Sequence, residues 1–317
     1  QTLTFSDGEL IILKNILIGE VWLASGQSNM EMPLNGYWNC PVKGANEIIA
    51  LSGKNKGIRF ATVPKTPAYE PQETVAGKWM ESNPNNTPWF SATAYHFAQT
   101  LYHSLDVPVG IIVCSWGGSR VESWTNREIL ETYPDINLSK KGIEAVEEWK
   151  RPLVMYNGML KPLTNFTIKG FIWYQGESNV GKHEDYPGRF ATMVELWRKD
   201  WGLGNLPFYY AEIAPWIYGD GELGTSGALL REAQFKSQFI IPNSGMISTN
   251  DLVEEYEKTN IHPKNKTDVG KRLAYMALNK TYELNSIAAH GPEYKSMEVK
   301  DGKIILSFNY APDGFNR

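Results

Sequence analysis

Short apolar runs alternate along this chain with segments of helical periodicity, and several of the runs stop at a polar loop that carries glycine. Val21-Trp22-Leu23-Ala24, Ile58-Arg59-Phe60-Ala61, 109–114, 170–174, 208–213 and Met246-Ile247-Ser248 read as buried strands, because a run too short for a helix and apolar at successive positions suits a strand covered on both faces. Helix signals fall between them. Ser91 can cap a helix to about Leu105, residues 186–201 carry apolar side chains at helical spacing, and 229–239 and 269–278 are two more. Strands alternating with helices imply a parallel sheet with helices on both faces, and such sheets bind ligands outside the carboxyl ends of their strands. Each strand-to-loop junction is therefore a place to look for chemistry.

The two ends have a different rhythm. Thr2-Leu3-Thr4-Phe5 and Leu10-Ile11-Ile12-Leu13 flank Asp7-Gly8, and Met297-Glu298-Val299 and Ile304-Ile305-Leu306 flank Asp301-Gly302. An Asp-Gly pair between apolar runs is a hairpin signal, since Gly accepts the positive φ of a tight turn. Both termini are expected to be β-hairpins.

Composition removes several function classes. A net charge of −4 over 317 residues lacks the basic face that nucleic acid or an anionic membrane surface requires. No apolar run is long enough to span a bilayer. Two cysteines, Cys40 and Cys114, cannot build a disulfide framework or a thiolate zinc site, though one bridge or two plain thiols are open to them.

Four junctions carry reactive side chains. Ser25-Gly26-Gln27-Ser28-Asn29-Met30 puts a serine just past the first buried strand, placed either as a nucleophile at a helix start or as an ordinary N-cap. Met30 stands where the α/β-hydrolase elbow has its second glycine. Ser115-Trp116-Gly117-Gly118-Ser119-Arg120 offers backbone N–H groups that can approach a ligand, or only a tight turn. Gln175-Gly176-Glu177-Ser178-Asn179 crowds polar groups around one glycine: a carboxamide from Gln175 or Asn179 can donate to an oxyanion, and Glu177 can be a general acid or base or a buried orienting group. Of five histidines, His96 and His103 read as helix packing, His183 lies in a polar loop and His290 near the second hairpin. Only His262 follows the last strand and precedes a helix, the same edge as Ser28. A serine within reach of a histidine is the minimum for acyl transfer.

Together these segments resemble the SGNH hydrolase superfamily, in its sialate O-acetylesterase and acetylxylan esterase branch (carbohydrate esterase family 6-like). The motifs are Gly19-Glu20-Val21-Trp22 running into Gly26-Gln27-Ser28-Asn29-Met30, then Trp116-Gly117-Gly118-Ser119, Trp173-Tyr174-Gln175-Gly176-Glu177-Ser178 and Ile261-His262-Pro263, with Tyr156-Asn157-Gly158-Met159 as a further segment lining the site. The resemblance spans about 18–278. It implies a three-layer αβα sandwich with a central parallel sheet (flavodoxin-like), no metal and no cofactor, and a serine esterase that removes O-acetyl groups from carbohydrates. Ser28 would attack the acetyl carbonyl and His262 would take its proton. The oxyanion would be held by the N–H of Ser28, an N–H of Gly117 or Gly118, and Gln175. Gln27, Asn29, Trp116, Arg120, Asn157, Glu177 and Asn179 would bind substrate. Many members carry an Asp three residues before the histidine, where this chain has Thr259. Asp251 is the first candidate to orient His262, with Glu254, Glu255 and Glu257 next, or a backbone carbonyl in a Ser–His dyad.

The resemblance also divides the chain into a β segment of an accessory β domain (1–17), the esterase domain (18–285) and a truncated β segment (286–317), and implies a secreted or periplasmic protein. The expected partner is an acetylated saccharide, acetylated xylan or sialic acid. Arg120 can meet a sialate carboxylate or pair with Glu122. Trp38, Trp89, Trp116, Trp124 and Trp216 can line a sugar groove. Two other readings compete: a glycoside hydrolase using Glu177 and Glu212, and a non-catalytic carbohydrate-binding protein. Residues 219–224 fit G-x-G-x-x-G, but they follow Pro215 and Trp216 rather than a strand and set Asp220 and Glu222 where a pyrophosphate would sit, so they read as a loop near the site mouth.

Overall fold

The computed structural model describes residues 1–221, 223–311 and 314. Eleven strands form among them: β1 Leu3–Ser6, β2 Leu10–Leu13, β3 Glu20–Gly26, β4 Ile58–Thr62, β5 Trp79–Glu81, β6 Val109–Ser115, β7 Gly170–Tyr174, β8 Phe208–Ala211, β9 Ser244–Ile247, β10 Glu293–Lys300 and β11 Lys303–Asn309. Seven make one sheet in the order β5-β4-β6-β3-β7-β8-β9, parallel throughout except for β5, which pairs antiparallel with β4.

The central strands carry apolar runs through their middles because both of their faces are covered. Along β3, Leu23 packs with Phe171, Trp173, Phe208 and the Tyr186–Trp201 helix on one face. Its neighbours Trp22 and Ala24 pack with Ile172, Tyr209 and the helices Ala92–Leu105 and Lys266–Lys280 on the other. This is the expected αβα sandwich. The Ser91 hydroxyl caps its helix by accepting from Ala94 N, at 3.1 Å. The 269–278 segment lies in the helix Lys266–Lys280 and most of 229–239 in the helix Ser226–Ser237, which ends two residues sooner than expected; both helices start three residues earlier than the expected segments.

The order of strands places the site. The chain lays β4 and β6 on one side of β3 and then crosses to lay β7, β8 and β9 on the other, so β3 is the switch point. Gly26 is in register with Ser115 of β6 and Tyr174 of β7. The loops beginning at Gln27, Trp116 and Gln175 therefore leave the sheet side by side.

Both termini form the expected hairpins, β1 with β2 and β10 with β11, each a separate two-stranded sheet. Cys40 and Cys114 are free thiols, Cys114 on β6 and buried in the core. No described helix is long and apolar enough to cross a membrane.

Candidate active site

Ser28 opens the one-turn helix Ser28–Glu31 directly after β3. The abrupt exit depends on Gly26, which holds φ at +131° and whose Cβ would lie 2.2 Å from the Tyr174 carbonyl oxygen. Gln27 N–H then donates to that carbonyl at 2.9 Å, and Gln27 Oε1 accepts from the N–H groups of Gly176 and Ser178 at 3.1 and 3.4 Å.

His262 arrives from the far end of the chain. Asn29 Nδ2 donates to the Ile261 carbonyl at 3.0 Å. Tyr37 spans the two reactive groups: its hydroxyl donates to the Ser28 carbonyl at 3.2 Å, and its ring meets the His262 ring edge-on with centroids 5.1 Å apart. Among the described residues no hydrogen bond joins Ser28 Oγ to the imidazole, a bond that tightens in many hydrolases only with substrate. Burial lowers the His262 pKa to about 4, and the Lys266 ammonium adds to the effect. The imidazole is thus a free base through the neutral range.

The acid expected behind His262 is engaged elsewhere. Asp251 gives both oxygens to Arg272, at 2.7 and 2.5 Å, because the guanidinium fork on the Lys266–Lys280 helix meets the carboxylate in a bidentate pair. That hydrogen bonding holds its carboxyl below the usual range. Glu257 accepts from Lys264 N and Glu254 N, and Glu255 pairs with Lys258 at 3.1 Å. Among the described residues no carboxylate bonds the His262 ring. The His262 backbone N–H donates to Asn260 Oδ1 at 2.9 Å.

The oxyanion donors also sort themselves. Gly117 packs against Ser28: a Cβ on it would lie 3.3 Å from the serine's. Its N–H, however, donates to Glu31 Oε2 at 2.5 Å, while Lys65 holds the other Glu31 oxygen at 2.6 Å. Gly118 N–H and Ser28 N–H have no acceptor among the described residues. Gly118 must be glycine, with φ +81° and a Cβ position only 2.4 Å from the Trp149 ring. Gln175, expected as the side-chain donor, spends both Nε2 hydrogens on Ser119 O at 3.0 Å and Asn179 Oδ1 at 2.7 Å. It is fully buried and has no hydrogen left for an oxyanion.

Most of the side chains expected to bind substrate are framework. Asn29 and Asn179 are buried, as is Gln27. Asn179 Nδ2 donates to Glu122 Oε2 at 3.0 Å, and the other Glu122 oxygen takes Arg189 at 2.7 Å. Asn157 Nδ2 donates to the Tyr69 carbonyl at 2.9 Å and so ties down the 64–72 segment. Glu177 accepts from Asn29 Nδ2 at 2.6 Å, and burial raises its pKa. Trp116 is nearly buried beneath the Lys65 ammonium, and Trp124 is core. Arg120 is half-buried: its Nε donates to the Ser178 carbonyl at 3.0 Å, its terminal nitrogens make no hydrogen bond among the described residues, its charge acts on Glu147, and Glu122 belongs to Arg189 instead. Trp38 and Trp89 are exposed and Trp216 half-buried.

The glycosidase pair does not form. Glu212 is buried and accepts from Ser248 Oγ at 2.6 Å and Thr249 N at 2.8 Å, joining the ends of β8 and β9. Neither it nor Glu177 is open to a glycosidic bond. In the 219–224 segment, Asp220 accepts from Ser226 N at the start of its helix, and Glu222 lies outside the described residues.

Residues 18–279 match the family model described as carbohydrate esterase, sialic acid-specific acetylesterase. The chain belongs to this family. The sialate O-acetylesterase of Pongo abelii is 27% identical over 93% of the chain, which spans 60% of that relative's length, and the human sialate O-acetylesterase matches to the same extent. A crystal structure of a carbohydrate acetylesterase from Xanthomonas citri superposes with a TM-score of 0.82 at 34% identity, covering 97% of this chain and 67% of that one. Four residues of the site carry no signal that sequence reasoning used: Tyr37, Glu31, Trp149 and Lys266. Each acts through a contact with a distant loop or strand end, or, for Glu31, with the Trp116-Gly117 turn.

Proposed function

We propose that this protein hydrolyses O-acetyl esters of carbohydrates through an acetyl-serine intermediate. The observation that carries the reading is the convergence of Ser28 and His262 at the switch point of the sheet, beside two unengaged backbone N–H groups. His262 accepts the Ser28 proton as Oγ attacks the acetyl carbonyl. The N–H groups of Ser28 and Gly118 hold the resulting oxyanion, and Glu31 keeps the Trp116-Gly117 turn in place by engaging Gly117 N–H. The protonated imidazole gives its proton to the departing sugar oxygen. It then takes one from water, which attacks the acyl carbon, and returns it to Ser28 Oγ as the acyl–Oγ bond breaks and acetate leaves.

The sugar in this proposal is an acetylated sialic acid. Arg120 supports it: a guanidinium beside the oxyanion turn, whose terminal nitrogens make no hydrogen bond among the described residues, offers the bidentate geometry that a sugar carboxylate takes. Trp38 and Trp89 favour a second reading, a neutral acetylated polysaccharide stacked on exposed rings. Acetate release from O-acetylated sialic acids, acetylated xylan and a chromogenic acetate separates the two. With Arg120→Ala, the sialate reading expects KM to rise about tenfold or more on sialic acids and to stay unchanged on the chromogenic ester. An unchanged sialate KM, with xylan as the better substrate, would transfer the proposal to the polysaccharide.

A further inference from the structure

Lys266 starts a helix yet is 1% exposed, where a lysine ordinarily reaches water. Its Nζ donates to Asn29 Oδ1 at 2.6 Å and lies 5.8 Å from the centre of the Tyr174 ring. The amide of Asn29 completes the arrangement, since Nδ2 is shared between Glu177 Oε1 and the Ile261 carbonyl. One carboxamide thus sits between a buried cation and a buried anion. Turned over, it would set its NH₂ against the ammonium and its oxygen against the carboxylate, so the charge pair fixes its orientation. That orientation places two things at once, the Ser28 turn and the carbonyl that precedes His262.

We propose that Lys266, paired with Glu177 across Asn29, is a positioning residue that locks the nucleophile turn to the His262 loop. The inference rests on the esterase reading for its kinetic meaning, though not for its geometry. A second consequence follows from charge. Around Lys266 stand Glu177, Glu257, Cys40 and the Tyr174 ring; around His262 stand Tyr37, Asn260 and Lys266. Among the described residues Lys266 is the one cation acting on the imidazole, and a like charge opposes protonation. Lys266 therefore extends the range of the His262 base toward acid. Burial brings its own pKa down to about 7, so the ammonium is fully charged where that protection is needed.

The test compares Lys266→Met, Lys266→Arg and Lys266→Met/Glu177→Gln with the parent protein, each checked by thermal unfolding. With only five histidines, the His262 ring can be titrated by NMR, its resonance assigned with His262→Gln. The expected result for Lys266→Met is a His262 pKa higher by about one unit or more, a kcat on the chromogenic acetate lower by about ten- to a hundredfold and little change in KM. Lys266→Arg should keep the low His262 pKa. The double variant should regain thermal stability lost in Lys266→Met, because no buried carboxylate is left unpaired, and still show the raised His262 pKa. An unmoved His262 pKa in Lys266→Met and in the double variant, or an unchanged kcat in a folded Lys266→Met, overturns the proposal. The titration needs no turnover, so a parent protein that releases no acetate would count against the esterase reading and leave this result decisive.

Discussion

The two halves of the reactive centre are built in opposite ways. On the nucleophile side, Gln27, Asn29, Gln175 and Asn179 are all buried, and each is bonded to at least one other loop of the site. On the side of the proposed base, a backbone hydrogen bond and a ring contact hold His262, and no carboxylate among the described residues bonds its ring. A dense polar loop at a strand end suggests recognition of substrate, yet here it is bracing that fixes where Ser28 points. The base is tuned instead by burial and by the charge of Lys266.

Variants sharpen this contrast, starting with the largest expected effect. Ser28→Ala should lower acetate release about 10⁴-fold or more with thermal stability unchanged. His262→Gln should lower it about 10³-fold, and in the parent protein kcat/KM should hold down to about pH 4, where His262 takes a proton and can no longer accept one from Ser28. An acidic limb near pH 6.5 would mean that the imidazole is neither buried nor beside a cation. Gln175→Ala tests the bracing. It strands Ser119 O and Asn179 Oδ1, so unfolding free energy should fall by about 2 kcal/mol, while kcat changes less than about tenfold; a loss of about 10²-fold or more would restore Gln175 as an oxyanion donor. Asp251→Asn should be the mildest. Its pair with Arg272 is largely exposed, so stability should change by less than about 1 kcal/mol and kcat by less than about threefold. A loss of several hundredfold would make Asp251 the orienting acid after all.

What was legible in the sequence follows from range. The buried strands carry short apolar runs, and their register delivers Gln27, Trp116 and Gln175 to one edge, so the edge of the sheet where the candidate site lies could be read from strand ends. β5 escaped because an edge strand of three residues leaves no pattern. The division of labour escaped for a stronger reason. Asn29 meets Glu177 across 148 positions and Lys266 across 237, and Gln175 meets the Ser119 carbonyl across 56. Whether a glutamine at a strand end faces substrate or a neighbouring loop depends on where that loop lies. Asp251 is the acid at the end of the last strand, but the helix that follows carries Arg272 to it.

The central claim is that Ser28 is a nucleophile activated by His262 alone. Labelling with an organophosphonate, followed by intact-mass measurement and peptide mapping, tests it most directly. The account predicts a single adduct on Ser28, absent in Ser28→Ala, formed far more slowly in His262→Gln and at the parent rate in Asp251→Asn. An adduct on another residue, or labelling of Ser28 that is indifferent to His262, would contradict it.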